Sequence, residues 1–501
     1  MAMTPIEALH SQADKHPDHL ALISGSDDWS YHRLAVEVDH LARALHARGI
    51  GPGDRVALHM TNGPELVAAY YACFRIGVIA APLNLRYETA ELRTLLRRLQ
   101  PALYLGEAQL YRRVAIIEPD ILAPEARVIV GTSEDCQARP WESLFEAQAS
   151  SLTIPDPDRD APAVLMTTSG TTGEPKLVPH TPATLSAMIE IWRHNRFDGN
   201  QIGINPLPMV HPAGLMMCLN CIHYGSPMVL LERLEADAVL DAVARHRCTW
   251  MPGPPFIFAE MVMRQRERRR DVASLQFCLC AGDVCPAELH QQFAEIFGIP
   301  LSSTWGSTEA GLFLYGLQPG PVTRIPPGTE VRIVDDHSAP VPRGSIGELL
   351  IRGPIITPGY WRGPGRIDDP KTDGWLPTGD LVKQGEGDEL WFFSRKKDLI
   401  IRGGLNISPL EIERVLRDNA AVHDAAVVGI SDPILGQRVA ALVQLADEAG
   451  ADVGKDILAD AKRQLADYKV PERLTIVTQI PRNASGKVDR KLVLTMMAEA
   501  T

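Results

Sequence analysis

The run Ala163-Val164-Leu165-Met166-Thr167-Thr168-Ser169-Gly170-Thr171-Thr172-Gly173-Glu174-Pro175-Lys176 changes character after its fourth residue. The first four read as a short buried strand. The ten that follow hold five hydroxyls, two glycines and a lysine, a composition of no use to a core. Small side chains let the backbone approach a ligand, and exposed N–H groups with hydroxyls make a concave anion site suited to a polyphosphate. A Walker loop needs Gly-Lys-Ser/Thr running into a helix; here Pro175 precedes Lys176 and no helix start follows directly. The plain alternative is a solvated Ser/Thr/Gly turn between two elements.

Upstream, residues 21–24 read as a strand, then a Gly25–Asp28 turn, then Ser30 as the cap of a helix carrying Tyr31, Leu34, Val38, Leu41 and Leu45. Gly51-Pro52-Gly53-Asp54 ends that helix. A strand at 55–58, a helix at about 64–76 and a strand at about 78–83 follow. Such alternation runs to about residue 300 and implies parallel sheets with helices on both faces. Folds of this kind bind ligands beyond strand C-termini, and Thr168 falls at one.

From about residue 320 the texture changes to short strands at 322–328, 330–334 and 347–353 between Gly/Pro turns, which suggests a small β-barrel or distorted sheet. After Arg395-Lys396-Lys397-Asp398 a mixed pattern restarts, with helices at 409–417 and 457–465 and strands at 425–430 and 440–444. The expected fold is α/β. A large domain, 1–396, has parallel sheets flanked by helices and a β-barrel-like subdomain at about 320–396; a small mobile α+β domain follows at 397–501.

A chain of 501 residues is too long for one ordinary core. The net charge of −12 and the isolation of the basic tract 264–270 argue against a nucleic-acid partner and for a solvated helix end. Eight scattered cysteines fit a reducing compartment. Cys218-Leu219-Asn220-Cys221 has metal-like spacing but no second pair, so buried free thiols are expected. The N-terminus lacks a basic-then-apolar leader, and no apolar run reaches the ~18 residues of a membrane span. The expectation is a cytoplasmic protein.

Four further stretches are too polar or too glycine-rich for their surroundings. In Ser303-Thr304-Trp305-Gly306-Ser307-Thr308-Glu309-Ala310-Gly311, Trp305 can stack on a base and Glu309 can hold Mg²⁺. In Asp373-Gly374-Trp375-Leu376-Pro377-Thr378-Gly379-Asp380, a carboxylate after a tight turn can accept both hydroxyls of a ribose. The third is Ser394–Gly404. In the last, Pro481–Lys487, a lysine on a Ser-Gly turn can deliver a point charge to an anion. Taken singly, each is equally readable as turn chemistry or a surface ion pair.

Together, the 167–176 loop, Trp-Gly-Ser-Thr-Glu, Thr-Gly-Asp, Arg-Lys-Lys-Asp…Gly-Gly and Ser-Gly-Lys stand in the order of the adenylate-forming superfamily. The chain resembles those acyl-CoA synthetases, peptide-synthetase adenylation domains and beetle luciferases from Trp29 to Lys487, most closely a free-standing acyl-CoA synthetase. The resemblance implies that Thr168, Ser169, Gly170, Thr171, Thr172, Gly173 and Lys176 hold the ATP phosphates. Gly282, Asp283, Trp305 (where the family usually has Tyr), Gly306, Ser307 and Thr308 would border the nucleotide. Glu309 and Thr168 would serve Mg²⁺, Asp380 the ribose, and Arg395 the ribose or phosphate.

By the same resemblance, Lys487 would bridge the substrate carboxylate and the α-phosphate, as attack releases pyrophosphate and leaves an acyl-adenylate. Lys397 would be the hinge about which the small domain turns, bringing Gly403 and Gly404 to line a tunnel for the CoA thiol. Met209, His211, Gly214, Leu215, Gly306, Leu312 and Phe313 would form the acyl pocket, with His211 closing it. Acetyl-specific relatives have tryptophan where Gly306 stands, so the acid should be larger than acetate, with aryl or medium-chain acids leading. Departures are Ser394 for the usual Gly, Asn483 for Thr and Gln437 for Glu. An acyl carrier protein could replace CoA as the thiol, a non-catalytic nucleotide- or acyl-binding regulator is the reading from another class, and oligomerisation stays open.

Overall fold

The computed structural model describes residues 2–25, 27–131, 138–146, 156–168, 176–192, 200–282, 285–316, 328–387, 389–403, 405–432, 434–446, 453–483 and 487–499. The chain forms two compact units. One takes Met1–Pro319, Ile325–Glu330 and Arg352–Leu376, and the other Gly320–Arg324, Val331–Ile351 and Pro377–Thr501.

The first unit is built on two sheets. In the nine-stranded sheet the central run Val164–Thr168, Ile79–Pro82, Arg55–His59, Leu103–Glu107, Arg127–Val130 and Arg139–Pro140 is parallel. On its other side Lys176–His180, Tyr360–Gly363 and Arg366–Asp368 run antiparallel. The eight-stranded sheet is ordered Gly311–Tyr315, Leu301–Ser307, Phe277–Cys280, Trp250–Gly253, Gly203–Asn205, Met228–Leu230, Leu20–Ile23, Trp29–Ser30. It is parallel inside and antiparallel at both ends. A parallel strand is covered on both faces and reads as an unbroken apolar run, which is why Val164, Leu165 and Met166 are all buried.

Local chemistry sets the helix starts. Ser30 accepts from the Arg33 amide at 3.2 Å and opens Tyr31–Ala47. Thr181 and Thr184 satisfy each other's amides and open Pro182–Glu190. Helix Thr89–Leu99 buries Leu92, Leu95, Leu96 and Leu99, at three- and four-residue steps, in a core shared with Tyr104, Ile129 and Trp361. Burial of each leucine contributes about 1.5–3 kcal/mol. Trp361 is thereby anchored, and with it the neighbouring Tyr360. No described helix is long and apolar enough to cross a membrane. The basic tract at the end of Pro255–Glu267 is paired with Asp237, Asp241 and Glu267.

The second unit holds most of a four-stranded sheet, Glu330–Val334, Ile346–Arg352, Leu376–Gln384, Leu390–Arg395. Its other sheet has Leu405–Ile407, Ile400–Arg402, Gly436–Leu445, Val422–Asp432 and Arg473–Val477. Helices Pro409–Arg417, Gly454–Gln464 and Arg490–Glu499 accompany it. Residues 322–327, expected as a strand, lie outside the described residues. Lys397 falls inside this unit, in the short turn Lys396–Asp398, so the compact units part upstream of the expected hinge.

His59 titrates within this core. It is fully buried with Nδ1 2.9 Å from the Tyr104 hydroxyl, and burial, aided by Arg113, pushes its pKa down to about 3. The unfolded value is about 6.5, so its contribution is complete above that pH and is lost as pH falls towards 3. Urea midpoints between pH 7.5 and 4 should therefore decline. His59→Gln should lower stability at pH 7.5 but flatten the decline; an unchanged slope would exclude His59 as a contributor.

Candidate active site

The glycine- and hydroxyl-rich segment is carried by a β-hairpin. Val164–Thr168 pairs antiparallel with Lys176–His180, Thr168 lying opposite Lys176. The two ends of the loop are thus fixed side by side at the C-terminus of a buried parallel strand. Ser169, Gly170, Thr171, Thr172 and Gly173 lie outside the described residues. Lys176 Nζ sits 4.2 Å from the centroid of the Tyr360 ring, and the Tyr360 hydroxyl donates to Glu309 Oε1 at 3.1 Å. Burial first, and then the Glu309 charge, push the phenol's pKa up, so it remains a donor at neutral pH.

Trp305, Gly306 and Ser307 end the strand Leu301–Ser307, and Thr308 and Glu309 form the turn into Gly311–Tyr315. Gly311 has φ +61°, a conformation that favours glycine, and an added Cβ would also press on Met188 Sδ at 2.9 Å. Two further residues fasten this turn. Buried His180 has its pKa lowered by desolvation, so the neutral ring donates from Nε2 to the Thr308 carbonyl at 2.7 Å. The Thr357 amide donates to the Glu309 carbonyl at 2.8 Å while its hydroxyl lies 2.5 Å from Pro179 O.

Two sheets therefore meet at Glu309, tied by His180, Thr357 and Tyr360. Sequence reasoning did not single out these three. Two of them are buried polar residues, and the available signal was Tyr360 following Pro358-Gly359 directly before an apolar Trp361.

The proposed acyl segment precedes and opens helix Pro212–Tyr224, with His211 at its N-cap. Met209 is fixed at both backbone groups: its amide donates to Asn62 Oδ1 at 2.8 Å and its carbonyl accepts from Tyr70 at 2.8 Å. Met209 and Leu215 are fully buried, and a Cβ on Gly214 would lie 2.4 Å from Pro208 O. Cys218 and Cys221 are buried free thiols on this helix. Gly282, with φ +93°, follows the strand Phe277–Cys280. Asp283 and the side chains of Leu312 and Phe313 lie outside the described residues.

The second unit carries the remaining candidates. Asp380 is buried and pairs across the strands with Arg395 Nε at 2.6 Å. Its amide donates to Thr378 Oγ1 at 3.1 Å. Gly403 turns the hairpin between Ile400–Arg402 and Leu405–Ile407 with φ +57°, and an added Cβ would meet nothing nearer than Leu435 at 3.7 Å. Conformation rather than crowding requires glycine there; Gly404 lies outside the described residues. Two residues that depart from the family pattern make defined hydrogen bonds. Gln437 Oε1 accepts from the Ile401 amide at 2.7 Å, a task open to any side-chain carbonyl. Asn483 Oδ1 accepts from the Lys487 amide at 3.2 Å while the Asn483 amide donates to Lys487 O at 2.7 Å, closing the lysine's turn. Ser394 is buried and its hydroxyl donates to the Arg395 carbonyl at 3.3 Å.

Residues 9–361 match the family model of the AMP-binding enzyme, and residues 411–487 match the AMP-binding enzyme C-terminal domain. The chain belongs to the AMP-binding enzyme family. It is an adenylate-forming enzyme of the acyl-CoA synthetase kind. It is 32% identical to a sulfoacetate–CoA ligase of Cupriavidus necator, with 96% of each chain covered. It is 31% identical to an indoleacetate–CoA ligase of Aromatoleum aromaticum, with 99% and 98% covered. Among solved structures, ATP-bound MatB from Rhodopseudomonas palustris superposes over 100% of both chains with a TM-score of 0.89 at 25% identity.

The donor set of this AMP-binding enzyme bears on Mg²⁺. Among the described residues no group of three or more His, Cys, Asp or Glu could hold a metal alone. Mg²⁺ characteristically takes one or two carboxylates and completes its shell with phosphates and water. A single half-exposed carboxylate, Glu309, fits an ion that arrives with a nucleotide.

One cysteine near Gly282 differs from its relatives in the chain. Cys285 is partly exposed, and a hydrogen bond from Cys280, with help from His290, outweighs burial and brings its pKa down to about 6. Burial pushes Cys73 and Cys248 up to about 12. Iodoacetamide at pH 7 should therefore label Cys285 well ahead of Cys73, Cys218, Cys221, Cys248 and Cys278, with a rate that falls as pH drops through 6. Peptide mass spectrometry reads this directly; equal slow labelling at all six would contradict it.

Proposed function

We propose that the enzyme is an ATP-dependent acid:CoA ligase that joins a carboxylic acid to AMP with release of pyrophosphate and then transfers the acyl group to the CoA thiol. The acid is larger than acetate, of the aryl or medium-chain class. The observation that carries this reading is the Lys176–Tyr360–Glu309 chain at the root of the hydroxyl-rich loop. It pairs a cation suited to phosphate with a carboxylate suited to a phosphate-bound divalent ion.

The chemistry follows from charge. A carboxylate and a triphosphate repel, so the barrier falls where fixed positive charge meets the developing negative charge. Lys176 and the loop hold the phosphates; Glu309 would hold a nucleotide-borne Mg²⁺, which would supply positive charge against the pyrophosphate leaving group. Trp305 stacks on adenine, and Asp380 and Arg395 take the ribose side. Lys487 bridges the acid's carboxylate and the α-phosphate. The phosphoryl step requires no nucleophilic side chain, and the second half-reaction uses the CoA thiol. A turn about Lys397 exchanges Lys487 for Gly403 and Gly404 between the halves.

Gly306 and the apolar Met209 and Leu215 support an acid with a sizeable apolar body. The names of the relatives range from sulfoacetate and indoleacetate to medium- and long-chain fatty acids.

Pyrophosphate release across a panel of aryl, medium-chain and dicarboxylic acids, with and without CoA, tests the reading. Turnover only with CoA and an apolar acid supports it; no ATP cleavage with any acid overturns it. Lys487→Ala should lower adenylation on the order of 10²–10³-fold and leave thioester formation from supplied acyl-AMP largely intact, so equal loss of both halves would contradict the assigned role. Tyr360→Phe keeps a ring beneath Lys176 but removes the donor to Glu309. It should raise the KM for Mg-ATP about tenfold, the order expected for a lost hydrogen bond to a charged group, with the KM for the acid unchanged.

A further inference from the structure

The turn that carries Lys487 is bounded by two arginines, and both end in one ionic chain inside the second unit. On the N-terminal side Arg482, bridged to Val488 across the turn, donates to Asp424 Oδ2 at 2.7 Å. On the C-terminal side Arg490 Nη1 donates to Glu413 Oε1 at 2.8 Å and to the Val427 carbonyl at 2.6 Å. Arg417 closes the circuit: its Nη2 donates to Glu413 Oε2 at 3.2 Å and its Nε lies 3.4 Å from Asp424 Oδ1. Charges alternate along Arg490–Glu413–Arg417–Asp424–Arg482. Glu413 is only 1% exposed and also accepts from the Val427 amide at 2.9 Å.

The anchor is stiff on both sides. Asp489 accepts from the Leu492 amide at 3.2 Å and so caps Arg490–Glu499, whose Val493 and Met497 are fully buried against Ala426, Val428 and Leu442. Arg490 also reaches Asp398 Oδ2 at 3.8 Å, the residue after Lys397. One guanidinium, three residues after Lys487, thus reaches the helix of Glu413, the strand of Val427 and the residue beside the proposed hinge.

A buried carboxylate is costly unless it is fully paired, and its three partners are Arg490 beside Lys487, Arg417 one turn along its own helix, and the Val427 amide on the sheet beneath. We infer that Glu413 and Arg490 are positioning residues for Lys487: the buried carboxylate fixes the arginine three residues beyond the lysine, and this sets where the ammonium is presented. This rests on the reading of Lys487 as the residue that serves adenylation. Neither residue touches substrate. The bonds are geometric constraints on a turn whose lysine is otherwise a long flexible side chain.

Glu413→Gln preserves shape and the acceptor for Val427 while removing the charge, and Arg490→Lys keeps the charge but cannot reach Glu413 and Val427 O in the same geometry. Acid-dependent pyrophosphate exchange should fall on the order of 10²-fold in each, as for a displaced reacting group, while thioester formation from supplied acyl-AMP remains within about twofold of the parent. In a Lys487→Ala background, Glu413→Gln should add no further loss of adenylation, because both changes remove the same interaction. Equal loss of the two half-reactions, or a full additional loss in the Lys487→Ala background, would assign Glu413 to stability alone and overturn the inference. Should Lys487→Ala leave exchange unchanged, the adenylation reading itself falls. If Lys487→Ala abolishes exchange and neither Glu413→Gln nor Arg490→Lys affects it, the positioning role alone is refuted.

Discussion

The phenol of Tyr360 holds a lysine against its face and a carboxylate at its hydroxyl, and the first unit is arranged around keeping that geometry. A cation and an anion left in direct contact would neutralise each other and be of little use to a charged ligand. With an aromatic ring between them, Lys176 is attracted by the ring's quadrupole while Glu309 accepts a neutral donor. On the function proposed above, both charges are then left for the nucleotide and its cation. The cost is structural: three chain segments far apart in sequence must converge. Trp361 in the core, Thr357 across the strands and His180 beneath the turn supply that convergence.

The second unit meets a different demand. Lys487 stands between the last described strand, Arg473–Val477, and the last described helix, Arg490–Glu499, where a point charge on a flexible stem has little intrinsic direction. Backbone pairing with Asn483 closes the turn. The alternating ion chain through Glu413 then ties both flanks to the sheet, and surface pairs could not do this because exposed ion pairs are weak. Burial makes the arrangement intolerant of a missing partner, which is what fixes position.

Much of this architecture is legible in local sequence. Ser30 and its three- and four-residue apolar pattern specify the helix Tyr31–Ala47, and Pro409–Arg417 emerges with its expected bounds. The run Val164–Met166 reads correctly as a buried strand because a parallel strand leaves no polar face. Glycine-rich, hydroxyl-rich loops stand out because no core uses them. His180, Thr357, Tyr360 and Glu413 do not stand out. A buried histidine or glutamate looks like any other polar residue until its partners, often more than a hundred positions away, are known. Gln437 and Asn483 are also readable only afterwards, as acceptors for Ile401 and Lys487 amides.

Sequence by itself determined the α/β class, the order of the motifs and their membership in a nucleotide-using family, since these depend on periodicity and on residue types placed along one dimension. Tertiary structure alone decided which polar groups face one another. It put the loop on a hairpin closed by Thr168 and Lys176, joined Lys176 to Glu309 through Tyr360, and divided the chain ahead of Lys397. The physical reason is that hydrogen bonds and ion pairs act over a few ångströms in space, and distance along the chain carries no record of them.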